Sequence, residues 1–330
     1  MQENFNAKII NEIIRQRQTS GKINPVDYLR NRFAMSKETA YRRIKNKISF
    51  SLEEAADIAD DFNLSIDQLL NLKSNNHFPL NMNFNIEQEP VDIYADLLKS
   101  DIGTMEKLLA AANLKITAAI NKIPFRLLPY PSLFKFDYCH YMYSAGKISL
   151  MTGYSDIEIP PYIMNLHEET AACFRKLSNM TCIIDGLIFS NIIKKIQYYY
   201  RMQFISAEDL QILQEELFKL LEKCQNMLYS GKNSAGSDCT FYYSFFNLET
   251  NVVFSEYDSN SFLQVWIYPE SPIIIKNNRQ VNDIHKKWID SKTRNSMLIT
   301  KTTDIYQIEM LRNIHQQISS LGTVVEHILL

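Results

Sequence analysis

Residues 29–47 read LRNRFAMSKETAYRRIKNK and hold seven basic side chains against a single acidic one. Ser36 is a favoured residue to begin a helix, because its hydroxyl can accept a hydrogen bond from a backbone N–H of the first turn. Ala40 and Ile44 lie four positions apart, which places both on one face of that helix. The stretch therefore predicts a helix over residues 37–45 that turns Ala40 and Ile44 inward and most of its basic side chains outward.

A second helix is predicted immediately before this one. Asn24 can cap it, and Pro25 occupies its first turn, the helical position that proline tolerates best. Leu29 and Phe33 lie four positions apart on its inner face. Residues 34–35 form a short turn, so the order is helix, turn, helix.

The positive charge is confined to this region. The chain has 330 residues and a net charge of −2. Residues 1–75 hold 12 Lys/Arg and 10 Asp/Glu, whereas residues 76–330 hold 23 and 27. Charge alone would suit a solvated helix face, but a basic patch that follows a tight turn between two helices indicates a polyanionic partner.

Three more short helices complete a predicted five-helix bundle in the first 72 residues. One covers residues 7–18, where isoleucines recur at helical spacing. The others begin at capping boxes, in which a serine is followed three residues later by Glu or Gln, and cover residues 51–62 and 65–72.

The pattern LxxxFAMS over residues 29–36, followed by FSLEEAADIADDFNLSIDQLL over residues 50–70, resembles the Cro/lambda-repressor class of helix-turn-helix regulators, the XRE family. The resemblance covers residues 7–72. One departure is that KNK at residues 45–47 stands where the family usually ends its recognition helix with Asn-Gly. The resemblance implies a bacterial transcription regulator with double-stranded DNA as its partner.

A helix of this kind fits the major groove, where its N-terminal residues lie nearest the base edges. Arg42 can form a bidentate pair with guanine, and Glu38 can accept from a cytosine amino group. The remaining arginines and Lys47 suit phosphates, and Ser36 offers the helix N-terminus to a phosphate. The predicted DNA-contacting residues are Arg30, Arg32, Ser36, Lys37, Glu38, Thr39, Tyr41, Arg42, Arg43, Lys45 and Lys47.

The larger part of the chain has a more varied pattern. An asparagine-rich linker is predicted over residues 73–90, and helices are predicted over residues 91–113, 116–123, 162–176, 187–202, 207–229 and 303–330. Period-two patterning predicts a three-stranded meander over residues 240–246, 252–257 and 262–268. The expected fold class is mainly α with a small antiparallel β-meander: a five-helix helix-turn-helix bundle over residues 1–72 and a larger α+β domain over residues 91–330.

Residues 91–330 also resemble the C-terminal regions of bacterial one-component regulators that carry this kind of helix-turn-helix. The stretches that prompt this are YRRIKNKISFSLEEAADIA, NIIKKIQYYY and DIHKKWIDSK, at residues 41–59, 191–200 and 283–292. The resemblance implies a companion domain and no particular activity. Its many Phe, Tyr and Met residues suit a pocket for a small-molecule effector and would equally suit a plain core.

Composition argues against several other classes. No apolar run is long enough to span a membrane, and the N-terminus lacks the pattern of a secretory signal. The five scattered cysteines indicate reduced thiols in a cytoplasmic protein, without a disulfide framework or a zinc site. The eight glycines include no phosphate-binding loop. No cofactor or membrane partner is therefore expected.

Three groups of residues suggest catalysis or base stacking, and each is better explained by structure. His167 and its two following glutamates lack the second histidine of a zinc motif. Cys139 and His140 lie in a dense aromatic run that is typical of a core. Tyr198, Tyr199 and Tyr200 more often bridge core and surface than stack on bases. The chain is therefore predicted not to be an enzyme.

The C-terminal helix carries apolar residues at the spacing of a coiled-coil seam, namely Leu311, Ile314, Ile318, Leu321, Val325 and Ile328. This seam predicts a homodimer, since regulators of this class pair two recognition helices on DNA. Burial of the same stripe against the chain's own domain is an alternative. A protein-interaction adaptor whose bundle does not contact DNA is the alternative function.

Overall fold

The computed structural model describes residues 24–61, 88–258, 260–266, 272–276, 279–302 and 305–323. The chain divides into two units, residues 1–79 and residues 80–330, and the division falls inside the predicted linker. Two of the five predicted N-terminal helices, over residues 7–18 and 65–72, lie outside the described residues.

Three helices form the described part of the first unit: α1 (Pro25–Phe33), α2 (Lys37–Ile44) and α3 (Leu52–Asp61). Each begins as the sequence predicts. Asn24 Oδ1 accepts from Val26 N at 3.0 Å, and Ser36 caps α2. Ser51 and Glu54 form the reciprocal capping box of α3. A small core of buried apolar side chains joins the helices, namely Val26, Leu29, Ala40, Phe50, Ala55, Ile58 and Ala59.

The second unit has seven described α-helices: α4 (Pro90–Leu109), α5 (Pro131–Ser144), α6 (Pro161–Phe174), α7 (Leu187–Arg201), α8 (Ala207–Ser230), α9 (Arg279–Arg294) and α10 (Ile305–Ser319). A 3-10 turn covers Phe125–Leu127. The predicted helices over residues 162–176, 187–202 and 207–229 are confirmed as α6, α7 and α8. Helices α5 and α9 are not predicted by the sequence pattern.

Seven described strands form one mixed sheet: β1 (Lys115–Ile120), β2 (Met180–Asp185), β3 (Cys239–Ser244), β4 (Asn251–Tyr257), β5 (Asn260–Trp266), β6 (Pro272–Lys276) and β7 (Ser296–Leu298). Their order across the sheet is β6-β5-β4-β1-β2-β3-β7. The central strands β1, β2 and β3 run parallel, and the other neighbours pair antiparallel.

The expectation of a mainly α protein with a small antiparallel meander is wrong, because this sheet is large and mixed. The strands expected at residues 252–257 and 262–268 do pair, as β4 and β5. The strand expected at residues 240–246 is β3, which β1 and β2 separate from β4. The stretch expected to be helical at residues 116–123 contains β1 instead.

The error at β1 has a physical cause. Four consecutive residues of this strand are buried, because helices cover both faces of the sheet at its centre. A strand buried on both faces loses the alternation of apolar and polar residues that identifies strands. An apolar, alanine-containing run of this kind cannot be distinguished from a buried helix by periodicity.

Helices lie on both faces of the sheet. Ile120 of β1, Ile184 of β2 and Phe241 of β3 pack against the main helical core, which α4, α5, α7, α8 and α10 build. The opposite face packs against α9 through Trp288 and Ile289. The main core and its sheet face enclose the cavity described below.

Helix α10 belongs to this core. Leu311, Ile314, Ile318 and Leu321 are buried in it, and Gln214 Nε2 of α8 donates to Ile318 O at 2.7 Å. The helix ends at Ser319, and the chain then turns through Gly322, whose φ is 84°. The four described seam residues therefore pack against their own chain. Val325 and Ile328, predicted to extend the seam, lie outside the described residues.

Candidate nucleic-acid interface

Three residues join α1 to α2: Ala34, Met35 and Ser36. Ala34 has a φ of 50°, a left-handed conformation that redirects the chain at the end of α1. Met35 packs, partly buried, against the small core that includes Leu29 and Ala40. A connection of this length between two helices is typical of a helix-turn-helix.

The inward face of α2 is as predicted. Ser36 Oγ accepts from Thr39 N at 3.1 Å and lies 2.9 Å from Thr39 Oγ1, which fixes the first turn. Ala40 is buried and Ile44 partly buried in the core. Glu38 lies in the first turn, where a negative charge is favoured by the helix dipole. The packing of Ala40 and Ile44 determines which side chains face solvent.

The outer face of α2 and the turn after it expose six of the predicted side chains, namely Lys37, Glu38, Tyr41, Arg42, Lys45 and Lys47. The ion pairs of the described first unit involve Arg30, Arg32 and Arg43 instead. Across the described residues, the charges of Lys37, Arg42, Lys45 and Lys47 are therefore not neutralised by a carboxylate. Thr39 is half-buried beside them.

Arg43 faces the inside of the unit. Its Nη1 donates to the Glu54 carboxylate and, at 3.2 Å, to Ser49 O. Its guanidinium carbon lies 5.1 Å from the centroid of the Phe50 ring, and its side chain is only 13% exposed. Glu54 also accepts from Ser51 N at 2.8 Å, so the ion pair ties α2 to the capping box of α3. This arginine, expected to contact phosphate, is engaged within the protein.

Arg32 is also engaged. Its Nε lies 2.7 Å from Asp61 Oδ2, and its Nη2 lies 3.4 Å from Asp57 Oδ1. The Tyr28 hydroxyl donates to the same Asp61 oxygen at 2.7 Å, and this bond, with help from Arg32, lowers the pKa of Asp61. Among the described residues, the pair that Arg30 forms is an exposed one with Asp27 at 3.8 Å, which dissolved salt weakens.

None of the family models, curated proteins or solved structures compared with the chain matches it. The likeness of residues 7–72 to the XRE family therefore stays a prediction. No helix in the described part of the chain is both long and apolar enough to cross a membrane.

The described residues of the second unit contain no group of three His, Cys, Asp or Glu side chains that could hold a metal ion. His167, weighed as a zinc ligand, is buried, and its ring stacks on Phe134 with centroids 3.7 Å apart. Its Nε2 lies 2.8 Å from Leu128 O, to which it donates. Burial lowers the pKa of His167, so the ring serves as a neutral core side chain.

Cys139 and His140, the second candidate group for catalysis, are adjacent in sequence but differ from each other in their surroundings. Burial raises the pKa of the Cys139 thiol to about 12, so the thiolate that a nucleophile requires does not form near neutral pH. His140 instead lies 2.8 Å from the hydroxyl of Tyr199 through Nδ1 and 2.8 Å from Nζ of Lys195 through Nε2. Tyr199 is buried, while its neighbour Tyr198 is exposed.

Proposed function

We propose that this protein is a sequence-specific DNA-binding transcription regulator whose helix α2 enters the major groove. The observation that supports it is the outer face of α2, where Lys37, Arg42, Lys45 and Lys47 stay free of described carboxylates although α3 is rich in acids. Those acids form ion pairs with Arg32 and Arg43 instead. Charge left unneutralised on one exposed face suits a phosphate backbone.

The exposed residues divide into two roles. Arg42 contacts guanine and Glu38 contacts a cytosine amino group, because both project from the outer face of the recognition helix. Lys37, Tyr41 and Lys45 lie beside Arg42 and Glu38 on this face. Ser36 and Thr39 stand at the helix N-terminus, where a phosphate is favoured. Lys47 and Arg30 contact phosphates. Arg43 holds α2 against α3, and Arg32 joins α1 to α3.

The protein acts as a homodimer in this proposal, because one helix contacts only a short half-site. Two-fold pairing would place two copies of α2 about 34 Å apart along the DNA. The buried α10 stripe does not supply this contact through its four described residues. Analytical ultracentrifugation of the full chain, alone and with selected DNA, measures whether two copies bind one duplex.

The proposal is tested by selecting binding sites from random duplex DNA with the full-length chain. We expect enrichment of a short motif, repeated with two-fold symmetry. An Arg42→Ala variant should recover a motif with one less specific position, whereas Lys107→Ala, an exposed lysine of α4 in the other unit, should recover the same motif. A selection without enrichment would favour the protein-interaction adaptor.

A further inference from the structure

A cavity of about 650 Å³ lies in the second unit, between the sheet and the main helical core. Small-molecule sites in proteins have volumes of roughly 300–1,000 Å³ and mostly apolar walls. The sheet wall is formed by alternate residues of its strands, which project from the same face. The helical wall is formed by α4, α5, α7, α8 and α10 together with the 3-10 turn.

The strand register arranges the sheet wall in three rows. The middle row contains Gln264, Val253, Ala118, Cys182 and Phe241, which are cross-strand neighbours. Ser255, Ile116 and Met180 form the row on one side, and Asn251, Ile120 and Ile184 form the row on the other. Three of these five side chains, those of Val253, Ala118 and Cys182, are small. Their size leaves space above the centre of the sheet.

Ser255 is a polar side chain without a partner in this wall. The residue is 1% exposed, and its Oγ forms no hydrogen bond with any described residue. Buried hydroxyls are nearly always hydrogen-bonded, and an unbonded one destabilises the fold. Its place among the lining residues directs the hydroxyl to the cavity.

The charge of the lining is opposite to the charge of its unit. The second unit has more Asp/Glu than Lys/Arg, 27 against 23. The cavity is nevertheless lined by six basic residues and two acidic ones, Asp101 and Asp137. Asp101 is paired with Arg126 at 2.6 Å, and Asp137 accepts from the Tyr94 hydroxyl at 3.3 Å. The excess of positive charge favours an anionic ligand.

The basic residues at one end are well positioned. Lys195 Nζ donates to His140 Nε2 at 2.8 Å, since an ammonium group can only donate, and His140 Nδ1–H then donates to Tyr199. Burial, and next the charge of Lys195, lower the pKa of His140 to about 4, and Lys122 adds to this effect while Asp137 opposes it. The neutral imidazole of His140 therefore orients the ammonium of Lys195 at this end of the cavity.

Lys122 stands at the same end, one residue after Asn121. Asn121 is held by Asn251, whose Oδ1 accepts from Asn121 N at 2.8 Å, and by Asn191, whose Nδ2 donates to Asn121 O at 3.1 Å. All of these residues line the cavity. The described residues include no carboxylate in an ion pair with Lys122. The backbone that carries Lys122 is therefore fixed, and its charge is available.

We propose that the cavity binds an amphipathic monocarboxylate, such as a fatty acid, with its apolar body over Ala118 and Cys182 and its carboxylate between Lys122 and Lys195. The apolar centre of the middle row and the mostly apolar helical wall bury the body of the molecule. The two ammonium groups form charge-assisted hydrogen bonds with the carboxylate. The binding itself does not rest on the proposed DNA function, and only its effect as a regulator would.

The first experiment measures binding of octanoate, dodecanoate and hexadecanoate to the full-length protein by calorimetry, below their micelle concentrations and without DNA. Dodecanol is the uncharged probe of matched length. We expect one carboxylate bound per chain, with a raised melting temperature, and at least tenfold weaker binding of the alcohol. Equal binding of acid and alcohol, or no binding of any acid, would overturn the proposal.

Variants then locate the site. Ala118→Leu fills the middle of the sheet wall and should abolish binding with an unchanged or higher melting temperature in the absence of ligand. Lys122→Gln should weaken dodecanoate about tenfold and leave dodecanol unaffected. Lys107→Gln, an exposed lysine outside the lining, is the control and should bind like the wild type. Wild-type affinity in Ala118→Leu or Lys122→Gln would contradict the assignment.

A fluorescence measurement tests the site without the Ala118→Leu variant. Trp266 lines the cavity at the Asn251 end, whereas Trp288 packs on the opposite face of the sheet. In a Trp288→Phe variant, dodecanoate brominated next to its carboxylate should quench the remaining fluorescence saturably. Bromine at the methyl end should quench it less. Equal quenching by both probes, or none, contradicts the proposed orientation or the site.

Discussion

Arg43 and Glu54 form a largely buried ion pair that joins α2 to the first turn of α3. The adjacent Arg42 is exposed and has no such partner among the described residues. We therefore predict that these two neighbouring arginines of one helix have separable effects, Arg43 on folding and Arg42 on binding.

We predict that Arg42→Ala weakens binding to the selected DNA site by about 1–3 kcal/mol and leaves the free energy of unfolding unchanged, because it removes a base contact and no internal one. Arg43→Ala should instead lower the free energy of unfolding of the first unit by about 1–3 kcal/mol, because it leaves Glu54 unpaired. Fluorescence anisotropy and urea denaturation measure the two quantities. Equal effects of both substitutions on stability would refute the division of roles.

Lys47→Ala should weaken binding to all DNA sequences alike, because a phosphate contact carries no sequence information. The slope of log affinity against log salt should become shallower by about one. Titrations at several salt concentrations, with specific and unrelated duplexes, test this. Lys107→Ala of the second unit is the control and should retain the wild-type slope.

Acid should destabilise the second unit through His285. Its ring is 7% exposed, lies 5.2 Å from that of Phe254 and 5.6 Å from that of Trp288, and burial lowers its pKa to about 4. As pH falls, the unfolded chain takes up the proton near pH 6.5, before the folded chain does. The stability that the neutral His285 ring contributes is therefore fully present above pH 6.5. It decreases between pH 6.5 and pH 4, by roughly 3 kcal/mol at most.

His285→Phe isolates this effect from those of His140 and His167, whose pKa values are also lowered. The variant should lose less stability over that interval. It should be no less stable at pH 7, because Nε2 of His285 has no hydrogen-bond partner among the described residues and phenylalanine removes that buried polar atom. Urea unfolding at several pH values measures the difference, and parallel curves for the two proteins would contradict it.

We expect the described residues of helix α10 to stabilise the fold of the chain and not to hold two chains together. Ile318 is 0% exposed, so Ile318→Ala should lower the free energy of unfolding by about 2–5 kcal/mol. Ile308 of the same helix is 43% exposed, and Ile308→Ala should cost less than about 1 kcal/mol. Sedimentation should give the same oligomeric state for both variants and the wild type. A change of oligomeric state in Ile318→Ala alone would restore the coiled-coil interpretation.

A ligand of the cavity can regulate DNA binding only if the two equilibria are coupled. If dodecanoate changes the affinity for the selected DNA site by some factor, the DNA must change the affinity for dodecanoate by the same factor. Anisotropy with saturating dodecanoate, and calorimetry with saturating DNA, give the two factors independently. If both factors equal one, the cavity binds a ligand but has no regulatory role.

Local signals in the sequence determined the helix caps, the turn between α1 and α2, and the inward face of α2. These features depend on neighbours within four residues, so spacing and residue type suffice to predict them. Arg32 and Arg43 could be recognised as basic but not as internally paired. Their acidic partners lie on another helix, although Glu54, Asp57 and Asp61 recur at helical spacing along it.

Only the tertiary structure decided the central sheet and the cavity. Strand β1 is buried on both faces, and its partners β2 and β4 are more than 60 residues away along the chain, so neither the strand nor its register follows from the local pattern. Lys122 likewise gains its significance from its neighbour Asn121, which Asn191 and Asn251 hold although both are distant along the chain. Non-local pairing, which no short stretch of residues specifies, brought these side chains to one cavity.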